Sequence, residues 1–258
     1  MRFSKLVLYF LILFNFFLSK LALSAGKAIE YPDKNWSFSS IFGTFDKASA
    51  QRGFQVYKEV CAGCHGMRLI SYRNLAALGY NQDELKAIAS QFEITDGPND
   101  DGEFFTRPGR PSDKFASPYP NKKAAIAANG GAYPPDLSLI IKARPNGANY
   151  LHALLSGYVE PPKNMIVPEG MYYNKFYSGN LIAMPQPLYE DGIEYLDGTK
   201  ASPDQMAIDV TTFLAWASEP ELEERKQLGI TVILFLIVFS ILSYFSMRQI
   251  WAPIKNKN

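Results

Sequence analysis

The sequence predicts a mainly α-helical protein with long irregular loops between its helices and one transmembrane helix near the C-terminus. Three observations support this fold class. Apolar residues recur with helical spacing in several segments, and proline and glycine are frequent between those segments. Residues 228–247 form a run of twenty residues without a formal charge.

The N-terminus has the layout of a secretory signal peptide over residues 1–25. Arg2 and Lys5 precede a thirteen-residue apolar run, after which small residues predict cleavage following Ser24 or Ala25. An uncleaved anchor is the alternative, and a mitochondrial presequence would be longer, richer in arginine and amphipathic. The pattern therefore favours a bacterial inner-membrane protein whose residues 26–227 face the periplasm.

Helices are predicted in four segments of this exported part, namely Asp46–Val60, Gln82–Phe92, Asn149–Ser156 and Pro203–Ser218. Ser202 is the expected N-cap of the last one, because proline follows it at the first helical position. Segments rich in proline and glycine, such as residues 107–111 and 133–136, cannot form long helices or central strands. We therefore expect few helices, wrapping loops and little sheet.

The run Leu228–Met247 is predicted to span a membrane. At a rise of 1.5 Å per residue its length is about 30 Å, the thickness of a hydrocarbon core. Basic residues and Trp251 follow it, as expected for a cytoplasmic tail over residues 248–258.

Composition limits the function classes. The chain has 26 basic and 25 acidic residues, so it lacks the excess positive charge of a nucleic-acid-binding protein. About 200 residues lie between the two apolar ends, which is enough for one domain.

The motif Cys61-Ala62-Gly63-Cys64-His65 is typical of covalent attachment of one c-type haem. The two thiols add across the vinyl groups, and the imidazole ligates the iron. A zinc site is the first alternative, but it needs four ligands and the chain has only two cysteines and two histidines. A thioredoxin-like pair is the second, but that motif belongs at a strand-to-helix turn and this one extends a predicted helix.

The sixth iron ligand decides whether such a haem transfers electrons or binds a small ligand. In electron-transfer haems this ligand is commonly methionine. The candidates are Met67, Met165, Met171, Met184, Met206 and His152. Met67 is too close to His65 in sequence, Met206 lies on the apolar face of a helix, and His152 is expected to be a partly exposed helical residue. Met184 is the favoured candidate for the sixth ligand, because prolines stiffen its loop. Met165 and Met171 are possible alternatives.

Several further stretches resemble the cytochrome c1 family, whose members are the haem subunits of cytochrome bc1 complexes. The resemblance covers roughly residues 33 to 253. The stretches are Arg52–Tyr57, Ser71–Leu75, Asp96–Glu103, Arg107–Gly109, Pro118–Asn121, Asn129–Ser138, Ala143–Arg144, Leu154–Tyr158, Glu160–Pro162, Ile182–Pro185 and Trp216–Pro220.

This resemblance implies a class I cytochrome c-like haem domain with the C-terminal transmembrane helix as its anchor. It implies that Cys61 and Cys64 hold the haem and that His65 and Met184 ligate the iron. The other residues that it implies at the cofactor are Asn129, Arg144 and Tyr150 near the haem and its propionates, and Pro135 at the ring edge.

The resemblance also implies partners and a role. The chain would accept electrons from a Rieske iron–sulfur protein, pass them to a cytochrome c and sit beside cytochrome b and membrane lipid in a dimeric complex. The enzyme would be that complex, a ubiquinol–cytochrome c oxidoreductase, and the chain its electron carrier. The alternatives are a membrane-anchored mono-haem shuttle to an oxidase or denitrification enzyme, and a haem-based sensor with an open sixth position.

Two acidic clusters are candidates for steering a basic cytochrome c, the other interpretation being ordinary solvated loop charges. One comprises Asp96, Asp100, Asp101 and Glu103, and the other Glu190, Asp191, Glu194 and Asp197.

Overall fold

The computed structural model describes residues 29–255, so the predicted signal peptide lies outside the described part of the chain. The α-helices are α1 (Lys47–Val56), α2 (Gln82–Ala89), α3 (Lys122–Ala128), α4 (Gly147–Ser156), α5 (Pro203–Ser218) and α6 (Leu222–Lys255). A π-helical turn, Tyr57–Cys61, extends α1, and a 3₁₀ helix spans Tyr72–Leu78. The strands are β1 (Glu93–Asp96), β2 (Phe105–Pro108), β3 (Tyr172–Tyr173) and β4 (Leu181–Ile182).

The strands form two small antiparallel pairs, β1 with β2 and β3 with β4. Glu93 pairs with Pro108 at one end of the first ladder, and Tyr172 pairs with Ile182 in the second. Within residues 29–255, therefore, the fold is mainly helical with little sheet, and the predicted fold class is confirmed.

Local sequence explains where the helices begin. The hydroxyl of Ser202 accepts a hydrogen bond from the backbone N–H of Gln205 at 3.3 Å, which confirms the predicted N-cap of α5. At α2, the side chain of Asn81 accepts from the N–H of Glu84 at 3.0 Å, and Glu84 accepts from the N–H of Asn81 at 2.7 Å. These two reciprocal bonds form a capping box, which satisfies two backbone N–H groups at the start of α2.

Helix α1 packs most extensively against α5, and this contact forms the centre of the core. Gly53 makes the close approach possible, because a Cβ atom added there would lie 2.0 Å from the carbonyl oxygen of Asp209. Beside this crossing, the ring of Phe213 lies 5.5 Å from that of Phe54 and 5.8 Å from that of Tyr57. The helix pair thus supplies a rigid base from which the Cys-x-x-Cys-His motif emerges.

Helix α6 is long and apolar enough to cross a membrane. Its 34 residues would extend about 50 Å at 1.5 Å per residue, which exceeds a hydrocarbon core of about 30 Å. The predicted span Leu228–Met247 lies inside it. Leucine, isoleucine, valine and phenylalanine side chains along this part are about half exposed, as expected for a surface that faces lipid.

Candidate haem site

The Cys-x-x-Cys-His motif begins in the π-helical turn that extends α1. The N–H of Ala62 donates to the carbonyl of Tyr57 at 2.8 Å, a bond that spans five residues and widens the helix. The N–H of His65 then donates to the carbonyl of Cys61 at 2.9 Å, which folds the motif back on itself. Because it continues a helix, the motif lacks the strand-to-helix setting of a thioredoxin-like pair.

His65 is oriented by a bond to the backbone of a distant loop. Its Nδ1 atom lies 2.8 Å from the carbonyl oxygen of Pro135. A carbonyl can only accept, so Nδ1 carries the proton and Nε2 keeps its lone pair. Burial lowers the pKa of His65 more than the bond to Pro135 raises it. The neutral form of the imidazole is therefore favoured. A neutral, oriented imidazole with a free Nε2 is what an iron ligand requires.

The loop that carries Pro135 is bound to the segment that follows the motif. A carboxylate oxygen of Asp136 accepts from the N–H of Arg68 at 2.9 Å, and the N–H of Leu137 donates to the carbonyl of Gly66 at 2.9 Å. These bonds hold the Pro135 carbonyl in place beside Nδ1 of the imidazole ring. No local pattern in the sequence indicates the role of Asp136, because its partner is 68 residues away.

Cys61 suits a neutral thioether better than a metal thiolate. Burial, together with the nearby Cys64, raises the pKa of the Cys61 thiol to about 12. Zinc binds thiolates, so this environment opposes zinc, whereas a thioether to a haem vinyl group carries no charge. Among residues 29–255, no three histidine, cysteine or acidic side chains come together as a metal site. The donor set of Cys61, Cys64 and His65 therefore fits a covalently attached haem.

Met184 lies in a well-supported loop, two residues after the end of β4. The hydroxyl of Tyr158 donates to its carbonyl oxygen at 3.0 Å, and its half-buried side chain packs against the hydrophobic core. Met67 and Met206 are 0% and 1% exposed, so both are core residues, and for Met206 this confirms the expectation from its place on an apolar helix face. The polar contacts that position Met184 share no residue with those of His65, so their pairing on one iron stays a prediction.

Met165 and Met171 are also half-buried and lie outside helices and strands. Each is held by a single turn, in which its N–H donates to the carbonyl of Pro162 or Pro168, respectively. This support is weaker than the strand and the tyrosine bond that position Met184.

The other residues implied by the resemblance fall into two groups. Asn129 ends α3, and its amide donates to the hydroxyl of Tyr119 at 3.1 Å and to the carbonyl of Ala125 at 2.7 Å. Arg144 is exposed, and its guanidinium donates to the carbonyl of Ala143 at 3.0 Å. It lies near Tyr150, where its positive charge lowers the pKa of that phenol but burial raises it more. The structure thus brings Arg144 and Tyr150 together, and no described contact joins Asn129 to them or to the motif.

His152 differs from the sequence-based expectation. It was expected to be partly exposed, but it is buried, with 4% of its surface exposed, and its Nε2 lies 2.8 Å from a carboxylate oxygen of Asp204. The ring of Trp36 covers it at 6.1 Å. Burial against Trp36 and the bond to Asp204 therefore give His152 a structural role that its position in the sequence did not indicate.

Together the helical core, the oriented histidine and the long apolar helix α6 define a class of protein, a helical haem domain followed by a C-terminal helix that could span a membrane. The family follows from comparison with known proteins: a model of the Cytochrome C1 family matches residues 36–254. The chain belongs to the cytochrome c1 family.

Relatives from three kinds of organism show the same similarity. Cytochrome c1 1 of Arabidopsis thaliana, described as a mitochondrial heme protein, is 49% identical over 233 residues, which cover 90% of this chain and 76% of the relative. The mitochondrial cytochrome b-c1 complex catalytic subunit of Candida albicans is 48% identical over 235 residues, covering 91% and 82% of the two chains. Cytochrome b/c1 of Bradyrhizobium diazoefficiens is 48% identical over 243 residues, or 86% of this chain and 35% of that longer protein.

Proposed function

We propose that this chain is the haem-bearing electron-transfer subunit of a cytochrome bc1 complex. Membership of the cytochrome c1 family supports this, as do the names of its relatives, one a b-c1 complex catalytic subunit and another a cytochrome b/c1. The observation that carries the proposal is the bond between His65 Nδ1 and the Pro135 carbonyl at 2.8 Å, because it prepares Nε2 for an iron ligand.

Three groups of residues would bind one haem c. Cys61 and Cys64 would form the thioethers, His65 and Met184 would ligate the iron, and Asn129, Arg144, Tyr150 and Pro135 would contact the rest of the cofactor. When bound, the haem supplies a reversible one-electron couple at its iron. The rigid α1–α5 base and the bonded loops would keep both ligands in place in either oxidation state, so that little reorganisation opposes electron transfer.

Partners and topology follow from this role. The chain would receive electrons from a Rieske iron–sulfur protein and give them to a cytochrome c. Cytochrome b and membrane lipid would surround α6 in a dimeric complex. The chain alone would be an electron carrier, whereas the complex would be the ubiquinol–cytochrome c oxidoreductase.

The candidate span in α6 and a bacterial relative fit a single-pass membrane protein. We propose a signal peptide over residues 1–25 and a haem domain over residues 26–227 in the periplasm. The span would be residues 228–247 in the bacterial inner membrane, with residues 248–258 in the cytoplasm.

The test is a redox-titrated optical spectrum of the membrane-purified protein together with identification of its subunits. We expect a six-coordinate c-type spectrum that does not change under CO, and copurification of cytochrome b and a Rieske protein. A haem that binds CO would instead indicate a sensor, and the absence of both partner subunits would indicate a mono-haem shuttle.

A further inference from the structure

A short loop before α1 is bound tightly to the start of α6. This loop, residues 36–45, has the sequence Trp-Ser-Phe-Ser-Ser-Ile-Phe-Gly-Thr-Phe and contains no charged residue. The ring of Phe38 packs between those of Trp36, at 5.7 Å, and Phe45, at 5.2 Å. The aromatic side chains at both ends of the loop therefore point into the protein and anchor it there.

Lys226 holds the middle of the loop. Its Nζ donates to the backbone carbonyls of Phe38 at 2.7 Å, Ser40 at 2.6 Å and Gly43 at 3.0 Å. An ammonium group has three donors, and all three are used here. One turn earlier in α6, Glu223 accepts from the backbone N–H of Phe45 at 2.8 Å. Two side chains of α6 thus satisfy the loop's backbone and fix its position.

A side chain would not fit at the glycine of this loop, because a Cβ atom on Gly43 would lie 2.4 Å from the carbonyl oxygen of Ser37. The bonds to Lys226 and Glu223 hold the loop in this conformation in the free protein. A preorganised loop lowers the entropic cost of binding.

Two large apolar side chains at the tip of this rigid loop point away from the protein. Ile41 is 73% exposed and Phe42 is 81% exposed. Lys226 precedes Leu228, the first residue of the predicted span, by two positions, or about 3 Å along the helix axis. The loop tip therefore lies next to the level at which α6 enters the membrane.

The geometry points to a membrane-interface anchor, in which Ile41 and Phe42 insert among the lipid headgroups and upper acyl chains of the leaflet where α6 begins. The occupant is lipid because Lys226 holds the loop beside the start of the apolar part of α6, in which Leu228 is 65% exposed and Val232 is 45% exposed. An uncharged loop with two apolar residues at its tip suits that boundary. Together with α6, it would hold the haem domain at two points and restrict its tilt.

The test is labelling of the membrane-purified protein, with all copurifying subunits, in phosphatidylcholine nanodiscs that contain a diazirine near the glycerol. Trypsin releases the loop as peptide 35–47. We expect about ten-fold more lipid adduct on this peptide than on peptide 176–200, which carries the 97% exposed Leu196 as a control for exposure alone.

A matched pair of variants sharpens the result. Replacing Ile41 and Phe42 together by serine should reduce the adduct on peptide 35–47 about five-fold, whereas Leu196→Ser should leave it unchanged. Strong labelling of α6 with none on the wild-type loop peptide would overturn the proposal, including the case in which a neighbouring subunit covers the loop. The wild-type measurement needs no variant to fold, and the subunits found in the same sample test the proposed function separately.

Discussion

The Nδ1 atom of His65 lies 2.8 Å from the carbonyl oxygen of Pro135, 70 residues later in the chain. This bond sets the imidazole tautomer before any cofactor is present. It also ties the loop over residues 129–138 to the end of α1. Metal-binding histidines commonly donate their second ring nitrogen to such a partner, which raises their basicity. The orientation of the proposed proximal ligand is therefore a property of the folded chain itself.

Replacement of Met184 by leucine tests the sixth ligand. Leucine keeps the apolar volume but has no sulfur, so the iron would lose that ligand and become high-spin and able to bind CO. We also expect a lower reduction potential, because methionine ligation raises it. Optical spectra with and without CO, and a redox titration, measure both effects.

The other half-buried methionines provide the controls. Met165→Leu and Met171→Leu should each keep a six-coordinate spectrum and an unchanged potential if Met184 is the ligand. A normal spectrum in the Met184 variant, with a high-spin spectrum in one of these two, would transfer the role to that residue.

The features that the sequence predicted correctly are those with local signals. The Ser202-Pro203 pair marks the start of α5, and apolar spacing locates α1, α2 and α4 to within a few residues. Burial of His152 was missed because it depends on Trp36 and Asp204, both more than fifty positions away. The bond from His65 to Pro135 was equally invisible, since only the folded chain brings that carbonyl to the ring.

A buried ionic network should contribute strongly to stability. Asp209 is fully buried and accepts from the hydroxyl of Ser49 at 2.7 Å, from Arg52 at 2.9 and 3.1 Å, and from Gln205 at 3.1 Å. The pKa of Arg52 is raised, mainly by its hydrogen bonds to Asp209. Asp209→Asn would leave the Arg52 charge poorly compensated, at a cost of about 3–5 kcal/mol. Thermal unfolding followed at the Soret band should show a midpoint lower by roughly 6 °C or more.

Asp197 provides a matched control, because it also binds Arg52, at 3.0 Å, but its side chain is 46% exposed. An exposed ion pair contributes little to stability because water screens it, so Asp197→Asn should lower the midpoint by only a few degrees at most. Equal decreases in the unfolding midpoint of the two variants would contradict the larger contribution expected of the buried carboxylate.

His152 should make the domain less stable in acid. Its pKa is lowered by burial and by Lys34, and the contact with Asp204 compensates only in part. In the unfolded chain, where the histidine pKa is about 6.5, His152 therefore binds a proton more readily than in the folded protein. The stability that neutral His152 contributes is fully present above the unfolded-state pKa. It is lost as the pH falls below that value and through the folded-state pKa.

The measurement is the unfolding midpoint at pH 7.5 and at pH 5.5. His152→Gln should lose less stability on acidification than the wild type, whatever its stability at pH 7.5. His65 is common to both proteins and cancels in the comparison. An identical loss in the two proteins would show that His152 does not titrate between the states.

The acidic clusters differ in how much of their charge is neutralised within the protein. In the second cluster, Glu190 pairs with Lys200 and Asp197 pairs with Arg52. In the first, Asp96 pairs with Arg107, which lowers the pKa of that carboxyl. In the hairpin between β1 and β2, by contrast, Asp100, Asp101 and Glu103 are exposed and form no salt bridge among the described residues. Only uncompensated charges of this kind produce a field that extends to an approaching protein.

We therefore predict that the hairpin carboxylates steer a basic cytochrome c. Neutralising Asp100, Asp101 and Glu103 should slow association about ten-fold at low salt and flatten its salt dependence, since charge complementarity acts mainly on the association rate. Near 0.15 M salt, where screening acts over about 8 Å, the variant and the wild type should converge. Stopped-flow electron transfer over a range of ionic strengths measures this. Neutralising Asp191 and Glu194 is the control, and a larger effect there would assign steering to the other cluster; a flat wild-type profile would show that neither cluster steers.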